Sequence, residues 1–144
     1  MKNEKGFTFI ELIVIMAIIS ALATASAVFY GKFFYQVAVQ NTANGIVGQL
    51  RKAQVYAVES RQFSSWGVRN GTGQIILFQG NSYAGRNTAF DETFSIFPTT
   101  SVSGFTDVIF SRMTGTPSAT PTITVSSGVV TKTITINSWG VVSQ

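Results

Sequence analysis

Residues 12–31 form twenty positions without a single charge, and from Lys32 onward the pattern changes character. Twenty residues at about 1.5 Å rise cover about 30 Å, one bilayer core, so the uniform run predicts a helix of spanning length. After Lys32 the apolar positions thin to a stripe. Ala43, Ile46, Val47, Leu50, Ala53 and Ala57 recur at three- and four-residue spacing, while Asn41, Asn44, Arg51, Lys52 and Glu59 fall off it. No proline precedes Pro98, and between residue 7 and about 61 only Gly31, Gly45 and Gly48 weaken a helix. Each costs about 1 kcal/mol relative to Ala. One long helix is therefore predicted, its second half laying one face on a head. The stripe is built of small residues, so the head must come close.

At Phe63 the period shortens. Residues 66–69 and 74–78 read as two strands, and Asn70-Gly71 between them predicts the turn, since both residues accept positive φ. Further strand-like runs follow at 93–97, 108–110, 122–125 and 129–136. The last alternates, with Val130, Ile134 and Ile136 on one side and Thr131, Thr133 and Thr135 on the other. Gly, Pro, Ser and Asn clusters separate the runs; the Ser/Thr/Pro/Gly-rich 111–121 reads as a loop, and there is no internal repeat. The fold class is α+β: a long N-terminal helix, membrane-spanning in its first half, packed on a C-terminal antiparallel β-sheet head of five or six short strands. The organisation is a leader at 1–6, the spanning and assembly half of the helix at 7–31, its amphipathic half at 32–62 and the head at 63–144.

Composition removes most chemistry. With no cysteine there is no disulfide, thiolate metal site or Cys nucleophile, and with no histidine the commonest general base and metal ligand are gone. The net charge of +4 is far from a nucleic-acid signature. Only seven charges occur from Phe63 to the end: Arg69, Arg86, Asp91, Glu92, Asp107, Arg112 and Lys132. Asp91-Glu92, joined by Asp107, is the one acidic spot that could hold a hard cation. Adjacent residues of a strand point to opposite faces, however, and a solvated loop accounts for the pair. The same geometry disfavours a glycosidase dyad. Arg51, Lys52, Arg61, Arg69, Arg86 and Arg112, with Phe63, Trp66 and Tyr83 among them, are the candidates for a DNA-contacting surface, spread over sixty residues without a cluster. Asn70-Gly71-Thr72 matches a glycosylation sequon that turn chemistry alone explains. No catalytic residue, metal site or cofactor is expected, and the chain is expected not to be an enzyme.

The N-terminal end of the apolar run is more specific. Lys5-Gly6-Phe7-Thr8-Phe9-Ile10-Glu11-Leu12-Ile13 sets one acid just inside the apolar stretch. A carboxylate costs about 2.5–3.5 kcal/mol at the centre of a membrane helix and less near its end, so Glu11 wants a partner. The residues alone leave three other readings open. One is a plain single-pass anchor, oriented with the leader in the cytoplasm by Lys2 and Lys5. Another is a secretory signal cut at Ala21-Leu22-Ala23, Ala23-Thr24-Ala25 or Ala25-Ser26-Ala27, although Thr8 and Glu11 spoil its apolar start. The third is a buried helix of a soluble protein.

The ordered Gly-Phe-Thr-Phe-Ile-Glu before a spanning-length run resembles the class III signal of type IV pilins and pseudopilins. The resemblance implies cleavage between Gly6 and Phe7 by a prepilin peptidase, N-methylation of Phe7, and a role for Glu11 in assembly, where it meets the amine of a neighbouring subunit. A cut there removes Lys2, Glu4 and Lys5 and leaves 8 basic against 5 acidic side chains, or +3. A second resemblance covers the head: Leu50-Arg51-Lys52-Ala53-Gln54, Tyr56-Ala57, Trp66-Gly67-Val68, Ile134-Thr135-Ile136-Asn137 and Gly140-Val141-Val142 look like H-type minor pseudopilins of type II secretion. The chain departs from many pilins in having Ser20 and Val28 where they carry Gly and Pro, and in lacking the C-terminal disulfide loop.

Together these resemblances imply a fibre subunit. It would sit in the cytoplasmic membrane by a single pass with its head outside the cytoplasm, then enter a surface or periplasmic filament. Its partners would be copies of itself, other pilins or pseudopilins, the peptidase, the inner-membrane assembly platform and the membrane before assembly. A minor H-type pseudopilin and a DNA-binding minor pilin of a competence pilus are the alternatives, with DNA the weakest partner.

Overall fold

The computed structural model describes residues 6–144, with the side chains of 25–29 excepted. The leader charges Lys2, Glu4 and Lys5, the Val28 side chain and the Ala25-Ser26-Ala27 site thus lie outside the described residues. Helix α1 runs Phe9–Val58 without a break. Two compact units divide the chain, residues Met1–Phe34 and Tyr35–Gln144. In the first, Leu12, Ile15 and Leu22 are exposed, and the polar side chains turn onto their own helix. Ser20 Oγ donates to the Met16 carbonyl at 2.7 Å, and Thr24 Oγ1 to that of Ala21 at 2.9 Å. Such bonds leave little polar surface to solvate. Among the described residues no helix is long and apolar enough to cross a membrane. The span at 7–31 remains an expectation of the sequence, and it includes the side chains of 25–29.

In the second unit the C-terminal half of α1 packs on two antiparallel sheets. Among the described residues eight strands follow the helix: β1 (Trp66–Gly71), β2 (Gln74–Gln79), β3 (Asn87–Ser95), β4 (Ser101–Ser103), β5 (Asp107–Phe110), β6 (Thr122–Ser127), β7 (Val130–Ile136) and β8 (Val142–Ser143). They form one sheet in the order β3-β2-β1-β5 and another in the order β4-β6-β7-β8. The expected five or six strands become eight because β4 and β8 are too short, and β4 too serine-rich, to show a period. The alternation in β7 is as expected, with Ile134 and Ile136 buried and Thr131, Thr133 and Thr135 exposed.

One cluster joins all three elements. Val39, Ala43, Ile46, Val47, Leu50, Ala53 and Ala57 meet Trp66, Val68, Ile75, Leu77, Val108 and Phe110 from the first sheet and Ile123, Val125, Ile134 and Ile136 from the second. The predicted helical stripe is the buried face.

The close approach is achieved at Gly45, where an added Cβ would lie 2.3 Å from the Phe94 ring. At Gly48, one turn on, it would meet nothing within 4 Å. The two glycines should therefore respond with opposite sign. Gly45→Ala is expected to lower stability by about 0.5–2 kcal/mol, an overpacking cost less the gain in helix propensity. Gly48→Ala is expected to raise it by up to about 1 kcal/mol. Urea unfolding of the two variants checks this, and a shift of the same sign in both would contradict it.

The hairpin departs from expectation by two residues. Gly71 pairs with Gln74, so the turn is Thr72-Gly73, with Gly73 at φ 71°. A turn at Asn70-Gly71 would leave Leu77 and Phe78 beyond the end of β1. The observed register instead sets Val68 against Leu77, both in the core. Asn70 stays in the strand, its N–H donating to the Thr106 carbonyl at 2.8 Å.

Ile76 and Phe78 point away from the helix yet are buried. The Phe78 ring lies across Gly67, where a Cβ would come within 2.5 Å of it, and Tyr83 meets it edge-on at 5.4 Å between centroids. The first sheet is therefore covered on both faces, which the unbroken run of 75–78 reflects. The helix ends at Val58, three residues earlier than expected, where Ser60 turns left-handed at φ 53° before a short 3-10 turn at Arg61–Phe63.

Candidate functional site

Gly6, Phe7 and Thr8 precede α1 in irregular chain, all exposed, with Phe7 at 82 %. At position 6 an added Cβ would meet no described atom within 4 Å, so no described packing calls for glycine there. The Gly6–Phe7 bond is thus open to another molecule.

The start of the helix is a reciprocal cap. Thr8 N–H and Thr8 Oγ1 both donate to Glu11 Oε2 at 3.0 Å, and Glu11 N–H donates to Thr8 Oγ1 at 3.3 Å. This is a capping box, which satisfies amide groups that the first helical turn leaves without partners. It also answers part of the energetic difficulty of an acid at the head of an apolar helix. Both bonds from Thr8 use the same oxygen, and among the described residues none donates to Oε1. The sequence reading places Thr8 in the ordered signal and as an interruption of the apolar run, but gives it no capping role. The signal that finds its role is the Thr-x-x-Glu spacing directly before the apolar periodicity.

The three acids of the head are each held by a different cation. Lys52 Nζ bonds Glu92 Oε2, Arg86 Nε lies 2.8 Å from Asp91 Oδ2, and Arg69 Nη1 lies 3.5 Å from Asp107 Oδ2. Asp91 and Glu92 do point to opposite faces of β3, one to the Tyr83 side and one to α1. Among the described residues no three His, Cys, Asp or Glu come together as a metal site.

The candidate DNA-contacting cations are likewise engaged. Arg51 Nη2 donates to the Val142 carbonyl at 3.3 Å, and Arg112 Nη1 to that of Phe63 at 3.1 Å. Arg61 lies over Tyr56 at 4.1 Å. Arg69 and Arg86 do come together on the Tyr83 ring, at 4.3 and 3.8 Å, but each keeps its carboxylate. The sequon side chain is also tied, with Asn70 Nδ2 donating to the Val102 carbonyl at 3.2 Å.

The bond to Glu92 is the main reason that the Lys52 ammonium titrates above its ordinary 10.5. A lysine raised in the folded state adds stability that is complete below its unfolded pKa and is lost as pH rises through the folded one. The stability difference between wild type and Lys52→Met should therefore be constant near neutrality and shrink only above 10.5. Urea unfolding across the alkaline range measures it. Because the pair is more than a third exposed, the difference should stay below about 1 kcal/mol. A difference that already shrinks between neutrality and 10.5 would refute this assignment.

Residues 1–27 match the family model described as the prokaryotic N-terminal methylation motif. No curated protein and no solved structure matches the chain. The match covers the leader, the Gly6–Phe7 bond, the capping box and much of the apolar run. It supports a type IV pilin-like or pseudopilin subunit, a structural class and not an enzyme family, and the helix-plus-head fold fits a fibre subunit. The motif implies processing by prepilin peptidase, membrane anchoring and then assembly into filaments with other pilins.

Proposed function

We propose that the chain is a filament subunit of a type IV pilus or pseudopilus, cut between Gly6 and Phe7, methylated on Phe7 and polymerised through the apolar part of α1. Residues 7–31 anchor it in the cytoplasmic membrane before assembly, with the head outside the cytoplasm. Its work is mechanical, and the chemistry at its N-terminus is done by the peptidase.

The observation that carries this reading is Glu11. It sits in the first turn of a helix that has no other charge before Lys32, five residues from an exposed Gly–Phe bond, with one oxygen held by Thr8 and the other without a donor among the described residues. A plain anchor has no use for such an acid. In a filament this second oxygen would accept the amine that cleavage creates on a neighbouring Phe7, which is the pairing a charge in an apolar environment requires.

Intact mass and N-terminal sequencing of the membrane-extracted chain test this directly. The mature protein should begin at Phe7 and carry one added methyl group. A chain beginning at Thr24, Ser26 or Val28 would show cleavage at the small-residue sites and end the filament reading.

A further inference from the structure

The head displays large apolar side chains near the C-terminal end of α1, on backbone that is firmly held. Trp139 is 77 % exposed. Beneath it, Asn137 Oδ1 accepts from the N–H of Trp139 at 3.0 Å and of Val141 at 2.9 Å, and Gly140, at φ 80°, donates to the Asn137 carbonyl at 2.9 Å. Gln54 of α1 donates to the Trp139 carbonyl at 2.9 Å and to that of Gly115 at 3.4 Å, joining this turn to the neighbouring loop. In that loop Met113 is 67 % exposed at φ 67°, and Arg112 ties it to Phe63, 83 % exposed at φ 51°. Non-glycine residues held left-handed are strained, and here the conformation presents apolar side chains to water. A rigid, exposed Trp loses little freedom on binding, which is why Trp so often anchors an interface.

About 22 Å back along α1 from Gln54, at 1.5 Å per residue, lies an open groove. It has a volume of about 400 Å³ and is lined by Val37, Val39, Gln40, Asn41, Val130 and Lys132 among others. Lys132 Nζ donates to Gln40 Oε1 at 2.8 Å, and no carboxylate lines the groove. An open groove of this volume, with apolar side chains beside the Lys132 ammonium, has room for a single large side chain.

We propose that Trp139 of one copy of this chain seats in the Lys132 groove of another. The inference rests on the filament reading and supplies it with a contact between heads. The chemistry is complementary, because an ammonium without a carboxylate is attracted to the face of an indole, the best aromatic partner for a cation. The topology is also suitable. Knob and groove lie on different parts of one head, so a one-way union is heterologous and leaves a free knob and a free groove at the ends, as an open fibre requires, whereas a reciprocal exchange would stop at a dimer and give no ladder. A union of two Trp139 patches would close into a dimer and stop.

The absence of cysteine makes the test clean, since two introduced thiols report a single contact. Thr131→Cys, on the groove, and Val141→Cys, beside Trp139, are placed together in the full-length chain in membranes and oxidised mildly. A ladder of disulfide-linked multimers is expected, and adding Trp139→Ala should weaken it by about tenfold or more, as removal of an anchoring Trp does. Three results would overturn the proposal: an undiminished ladder with Trp139→Ala, dimers from Val141→Cys alone, or no ladder in cells that still shed fibres. The last leaves the filament reading standing. Absence of both fibres and Phe7 methylation in the unaltered chain removes that reading and this contact with it.

Discussion

Replacing Glu11 by Ala should leave the quantity of membrane-inserted chain unchanged or slightly raised, and should nearly abolish sheared fibres. Removing the acid spares its insertion cost. In the assembled filament, however, the Phe7 amine would lose its counter-ion, and breaking such a buried pair costs about 3–5 kcal/mol. At 1.36 kcal/mol per decade, that weakens subunit addition by about two to four orders of magnitude. The capping box makes a second variant informative. Glutamine is an accepted residue at this position of the box, so Glu11→Gln can keep the bonds from Thr8 while losing the charge. If neutralisation of the amine matters, Gln should fall well short of wild type and at best lie between it and Ala. If only the cap matters, Gln should match wild type and Thr8→Val should fail instead. Membrane-inserted protein and sheared fibres, measured in the same strains, decide between these. Equal fibre yield from Glu11→Ala and wild type would return this N-terminus to a plain anchor.

The largest effect in the head is expected at Trp66. Its ring is buried against Tyr56, at 4.9 Å between centroids, and Phe90, at 6.2 Å, and its Nε1 donates to the Arg61 carbonyl at 3.0 Å. It thereby holds the end of α1 to the first strand. Trp66→Ala should cost about 3–5 kcal/mol, through lost burial and the cavity left behind. Against the ~5–15 kcal/mol of an ordinary domain, that is about a fifth or more. Trp66→Phe keeps most of the ring contact and gives up the bond to Arg61, a loss of about 1–2 kcal/mol. Urea unfolding of the detergent-extracted chain, followed by near-ultraviolet circular dichroism, measures both. A smaller loss for Ala than for Phe would show that packing is not what Trp66 supplies.

What could be read beforehand follows from which forces leave a period in the chain. Ala43, Ile46, Leu50, Ala53 and Ala57 repeat with the helical turn because one face meets the sheets, and all are buried. Ile134 and Ile136 alternate with threonines because β7 is covered on one side only. Residues 75–78 read as a strand, but their run has no period, and nothing in it says that Tyr83 and its loop cover the outer face. The turn was placed two residues early because Asn-Gly is a local signal, whereas the register is settled by the pairing of Val68 with Leu77. At the site, Gly6, Phe7, Thr8 and Glu11 stand out by their order, while the capping role of Thr8 goes unread despite a readable spacing. Trp139 gave no signal at all: hydrophobicity foretells burial, and this residue is exposed.

The three acids of the head lie next to Arg69, Arg86 and, from α1, Lys52, and among the described ion pairs Arg51, Arg61, Arg112 and Lys132 have no carboxylate. These few unpaired charges are spread apart, and salt screens each beyond ~10 Å. Identical heads brought side by side therefore have little like-charge repulsion for counter-ions to relieve. Their cohesion depends on water leaving apolar and amide surface, and that term is nearly indifferent to whether the cell sits in brine or in fresh water.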